Sequence, residues 1–141
     1  MKLKLSLFAF FIAVIGMAQG NVKNGIALQG YDPVSYFENL AAEKGSEAYK
    51  VQYNGAWYYF TSEAHKVTFE KNPSYYEPQF GGYCAYGMSK GYKAAVQPEA
   101  FTIFNNKLYL NYNLEVRSTW VKDKEERIQK AEENWKSLQT K

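Results

Sequence analysis

The chain has 141 residues, 17 basic and 14 acidic, and it carries one cysteine and one histidine. A balance so close to neutral, with no clustered basic run, excludes the electrostatic footprint of a nucleic-acid binder, and a single cysteine excludes any disulfide within the chain. Tyrosine is the compositional outlier at 13 residues, and a tyrosine-rich chain has large side chains whose polar tips need a partner or water.

The first residues read as an export signal. Met1, Lys2, Leu3 and Lys4 form a short positive head, and the run from Leu5 to Met17 contains only one polar residue, Ser6. The run is about thirteen residues long, against about twenty for a helix that spans a bilayer, so it predicts a cleaved signal peptide over residues 1–18 and no transmembrane anchor afterwards. Gly16 and Ala18 place small side chains at −3 and −1, so the cut falls after Ala18 and Gln19 becomes the new terminus. Lys2 and Lys4 leave with the signal, and 15 basic residues then stand against 14 acidic ones. The expected location is periplasmic or extracellular, and the remaining length suits one domain.

Beyond a short polar lead, Asp32 and Pro33 predict a capped helical turn from Pro33 to Phe37, followed by a polar loop from Asn39 to Ser46. Tyr49, Val51 and Tyr53 alternate with Lys50 and Gln52, the period of a half-buried strand. Asn54 and Gly55 supply a two-residue turn into a return strand from Ala56 to Phe60. Ser62 caps a helix from Glu63 to about Lys71, closed by Asn72 and Pro73. Ala64, Val67 and Thr68 share one side of it, and His65 and Phe69 form an adjoining stripe near the buried face. Pro78, Gly81, Gly82, Gly87 and Gly91 predict an aromatic loop over residues 78–92 with little regular structure. A second hairpin turns at Asn105 and Asn106, with Leu108, Leu110 and Tyr112 alternating against Lys107, Tyr109 and Asn111. One long helix begins near Asn113, with Val121, Ile128, Ala131, Trp135 and Leu138 as its apolar stripe.

His65, Cys84 and Met88 are the imidazole, thiolate and thioether donors that remain after residues 1–18 are removed. They are too few for a four-ligand structural zinc site, but Cu(I) takes such donors in low coordination. The same residues admit plainer readings. A lone histidine beside a helix face is commonly a hydrogen-bonded core residue, a lone cysteine a small buried hydrophobe, and a methionine a gap filler. A Cys84 nucleophile with His65 as its base is a further alternative, although no cysteine-hydrolase signature surrounds Cys84.

Three ordered motifs, GYDPVSYF from Gly30, YYFTSEAHKVTFEKNPSYY from Tyr58 and FGGYCAYG from Phe80, resemble the YHS domain in its small exported form. The resemblance covers about Ile26 to Asn113. It implies a YHS-like domain over 26–113 with a C-terminal helix, 114–141, packed on the same domain. YHS domains are similar in their core to zinc-ribbon-like and treble-clef modules and occur on copper and heavy-metal transporters, so the resemblance implies metal binding or sensing. The cysteine-rich form reads DPVCGM and YYFCSxxC. Here Ser35, Thr61 and His65 stand at its three cysteine positions.

Together these readings predict a small α+β domain with two β-hairpins around a short central helix and a long C-terminal helix across them. The leading function expected is non-enzymatic binding of copper or another soft metal by His65, Cys84 and Met88. The alternative is an aromatic-lined module in which Tyr76, Phe80, Tyr83, Tyr86 and Tyr92 contact a protein, glycan or small ligand.

Overall fold

The computed structural model describes residues 20–139; the signal peptide expected over 1–18 lies outside them. The fold is α+β, with a four-stranded sheet, a separate two-stranded hairpin and short helices between them. Among the described residues, no helix is long and apolar enough to cross a membrane.

The first sheet has the order β1 (Val22–Lys23), β2 (Ile26–Ala27), β4 (Ala56–Phe60), β3 (Ser46–Tyr53). β3 and β4 form the hairpin expected at Asn54–Gly55, where both turn residues take positive φ, 49° and 78°. That conformation matches the twist of the paired strands and favours Asn-Gly. On β3, Tyr49, Val51 and Tyr53 lie on the more buried face and Lys50 and Gln52 on the exposed one, as their period requires.

Helix α1 (Pro33–Glu38) begins at the Asp32 cap, and α2 (Glu63–Lys71) begins at Ser62, whose hydroxyl accepts from the His65 amide. α2 turns inward on Phe69, which is fully buried, whereas Val67 is 40% exposed. The stripe of His65 and Phe69 is therefore the one that packs. A one-turn helix, α3 (Pro73–Tyr76), follows.

Three expectations need correction. Residues 78–92 are not an irregular loop throughout, because Ala85–Ser89 form helix α4; before it, Gln79–Gly82 make a tight turn in which Phe80 and Gly81 take positive φ. Glycine density concealed a helix whose Ala85, Gly87, Met88 and Ser89 are all buried. The second hairpin, β5 (Phe101–Phe104) and β6 (Lys107–Leu110), turns as expected, but β6 is not half-exposed. Leu108 and Leu110 face one apolar cluster with Val34, Tyr36, Phe60 and Phe69, while Tyr109 faces a second with Met88, Trp120 and Ile128. A strand covered on both sides loses the in–out alternation of exposure.

The single C-terminal helix is two: α5 (Leu114–Val121) and α6 (Lys124–Gln139). α5 carries Trp120 into the second cluster, and α6 packs chiefly against α4 rather than across both hairpins. Ile128 and Ala131 are buried, and Trp135 and Leu138 pack on the same cluster, so the stripe was placed correctly along a helix that bends earlier than its period showed.

Candidate functional site

The three expected soft donors have separate surroundings. His65 lies on α2 beside Asp32, Glu38 and Thr61. The Cys84 thiol is 2% exposed, caps α4 through the Gly87 amide at 3.4 Å and donates to Asn111 Oδ1 at 3.5 Å. Met88, one turn later, is closed into the second cluster with Phe80, Tyr109 and Trp120. Among the described residues, no hydrogen bond joins any two of these three side chains. A soft ion held by all three would have to draw the thiol from Asn111 and the thioether out of a packed core, so the residues present do not fit that centre. Burial likewise keeps the free thiol from a second chain.

His65 belongs to a polar network built on a buried carboxylate. Asp32 is fully buried; its Oδ1 accepts from the amides of Val34 at 2.8 Å and Ser35 at 3.3 Å. Its Oδ2 accepts from the Thr61 amide at 2.8 Å, the Thr61 hydroxyl at 2.9 Å and His65 Nδ1 at 2.7 Å. The first two bonds cap α1, and the other three tie α1 to the end of β4 and the first turn of α2. On the other side of the ring, Nε2 lies 3.1 Å from Glu38 Oε2. The sequence marked Asp32 as a cap, but nothing in its spacing showed that the same carboxylate orients His65.

The aromatic residues expected to form a binding loop mostly cover the protein's own core. Phe80 is buried, Tyr76 and Tyr86 pack on the clusters, and the Tyr83 ring lies tilted against Trp135 at 6.2 Å; Tyr92, 50% exposed, lies over Gly87. Phe80 alone of the five lines a large open cleft of about 1150 Å³. The other aromatic walls are Tyr53, Tyr58 and Trp135, contributed by the first hairpin and by α6.

Backbone strain is concentrated at this cleft. Leu28, Gln29 and Phe80, all lining residues, take positive φ of 55°, 53° and 56°, which side chains other than glycine rarely adopt. The Gln29 side chain spans to the Val96 carbonyl at 3.0 Å, fixing one wall. Gly81, at φ 62°, has no room for a larger residue, since a Cβ there would lie 2.9 Å from both the Gly20 Cα and the Trp135 ring.

The cleft is acidic. Glu77 and Glu132 line it, and among the described residues no lysine, arginine or histidine does. Glu77 is half-buried, and its carboxylate makes no hydrogen bond or ion pair among the described residues. Burial lifts its carboxyl above the ordinary range. Burial, and next the Glu77 charge, raises the Tyr58 phenol as well. Sequence reasoning missed Glu77; its one signal was an acidic residue directly before Pro78 at the entry to the glycine-rich stretch.

Comparison of the chain with protein-family models, curated proteins and solved structures finds no match.

Proposed function

We propose that the protein is an exported, YHS-like binding module whose cleft takes an elongated ligand with an apolar body and a positively charged head. The observation that supports this reading is Glu77, a half-buried carboxylate that, among the described residues, has no partner and lies in a cleft with aromatic walls and no cationic side chain. An uncompensated carboxylate is costly to desolvate, and a cation that meets it gains a charge-assisted hydrogen bond. Tyr53, Tyr58, Phe80 and Trp135 supply apolar area and π-systems that attract cations. The cleft volume of about 1150 Å³ exceeds the usual upper value of about 1,000 Å³ for small-molecule pockets, which favours a long ligand over a compact one.

Calorimetry with spermidine, choline and arginine, beside acetate and neutral glycans of similar size, tests the reading. Saturable binding is expected for the cations only, falling tenfold or more in Glu77→Gln and in Trp135→Ala with far-UV spectra unchanged. Equal responses to cations, anions and glycans, or none, would remove it.

Glu77 should also show opposite effects on binding and stability. Its folded carboxyl is raised relative to the unfolded chain, so between the two values the folded state binds more protons and stability falls as pH rises. Glu77→Gln is therefore expected to raise the melting temperature at neutral pH, with the gain fading as pH falls through the carboxyl range. A functional carboxylate retained at the expense of stability fits a binding role.

A further inference from the structure

Outside the cleft, three cations lie against aromatic rings where α4 and the residues after it meet α6. The Lys90 ammonium sits 4.9 Å and the Arg127 guanidinium 4.4 Å from the centroid of one ring, Tyr86, and the Lys93 ammonium lies 5.3 Å from that of Tyr83. A ring attracts a cation through its quadrupole and leaves the positive charge uncancelled. Among the described residues, Asp123 is the one carboxylate within ion-pair distance of any of the three. It takes Arg127, and Lys90 and Lys93 keep no counter-ion.

Arg127 is fixed in place by neighbours on both helices. Its Nε donates to Asp123 Oδ1 at 2.6 Å and its Nη1 to Ser89 Oγ at 3.2 Å, and the hydroxyl of Ser89, a buried residue, donates in turn to the Tyr86 carbonyl at 2.5 Å. These bonds hold the guanidinium beside the Tyr86 ring and use only part of its donor fork. Lys90, exposed, stands at the C-terminal end of α4. The Tyr86 phenol is held below its ordinary range, chiefly by the Lys90 ammonium acting on its oxygen, with the Arg127 charge adding to it.

We propose that Tyr86, Lys90 and Arg127 form a subsite for one tetrahedral oxyanion, a phosphate or sulfate group, free or carried as a monoester. Hydrogen bonds from a guanidinium and an ammonium are the strong ones for such a group, and the phenol hydroxyl adds a third donor. Donors on three side chains suit a group with three terminal oxygens, whereas a planar carboxylate is matched by one guanidinium fork. Because Arg127 is already held, less side-chain order has to be imposed when the anion binds. None of the three residues lines the acidic cleft, so the subsite stands independently of the ligand reading.

The test is calorimetric titration of the protein with inorganic phosphate, sulfate, glucose 6-phosphate and glucose 6-sulfate, beside acetate and chloride at matched ionic strength. Saturable binding is expected for the tetrahedral anions, about tenfold weaker in Lys90→Gln, the effect of losing one hydrogen bond to a charged group on an exposed side chain. Tyr86→Phe, which keeps the ring, should weaken it less, and Glu77→Gln should leave it as in the wild type. Tighter binding of the monoesters would mark a ligand that brings its anion on a sugar, and tighter binding of the inorganic ions would mark the free anion; either supports the subsite. Absorbance titration of the phenols gives a second readout. Saturating phosphate neutralises the two cations and should raise the one phenol whose signal is missing in Tyr86→Phe. The proposal is overturned by no saturation at millimolar anion, by equal responses to acetate or chloride, by wild-type affinity in Lys90→Gln, or by loss of binding in Glu77→Gln, which would move the anion to the cleft.

Discussion

Replacing Asp32 by Ala is expected to lower stability by about 3 kcal/mol or more, because each buried donor it leaves unpaired costs about 1 to 3 kcal/mol. The carboxylate is fully buried and accepts five hydrogen bonds, from Val34, Ser35, Thr61 twice, and His65. Its loss uncaps α1, strands the Thr61 amide and hydroxyl, and leaves His65 Nδ1 without its acceptor. Each buried donor left unpaired carries a desolvation cost. Asp32→Asn should fall between Ala and wild type, because its carbonyl oxygen can still cap α1 while its NH₂ then faces donors at Thr61 and His65. Urea denaturation gives the comparison. An Asp32→Ala midpoint indistinguishable from wild type would show that the network contributes little.

Trp120→Ala is expected to cost a similar amount, about 3 to 5 kcal/mol, as for other large aromatic truncations in closed cores. Trp120 is fully buried and centres the second cluster, packing beside Tyr109 at 5.5 Å with Met88, Ile128 and Ala131 around it. Trp120→Phe should cost much less than its lost volume implies. The indole Nε1 is buried without a partner among the described residues, so the substitution also removes an unsatisfied donor. Thermal unfolding of both variants measures the difference. Equal losses in the two would mean that the indole nitrogen is satisfied in solution. Because Trp120 lies on α5, a large loss in Trp120→Ala would also show that residues after Asn113 complete the core.

Local physics made much of the fold legible. Asn54–Gly55 and Asn105–Asn106 specify their turns because positive φ is tolerated there, and the turns fix both hairpins. Asp32 with Pro33 and Ser62 before Glu63 set two helix starts through cap chemistry within three residues. The period of Ile128, Ala131 and Trp135 gave the buried side of the last helix.

What the sequence could not determine depends on groups distant along the chain. Whether β6 buries one face or two depends on α5 and α6 arriving on its far side, and the glycine-rich stretch becomes helix α4 because α6 covers it. The candidate sites were hidden for the same reason. Composition isolated His65, Cys84 and Met88 as scarce donors, but scarcity carries no distance, and packing gave the three separate partners. Asp32, 33 residues before His65, and Glu38, 27 before it, meet the imidazole only because α1 docks against β4 and α2. Glu77 looks like an ordinary loop carboxylate until the first hairpin, the Phe80 turn and the end of α6 close a cleft around it. Secondary structure followed from caps, turns and period acting over a few residues, whereas site chemistry required the tertiary fold to fix which charges are buried and which atoms converge.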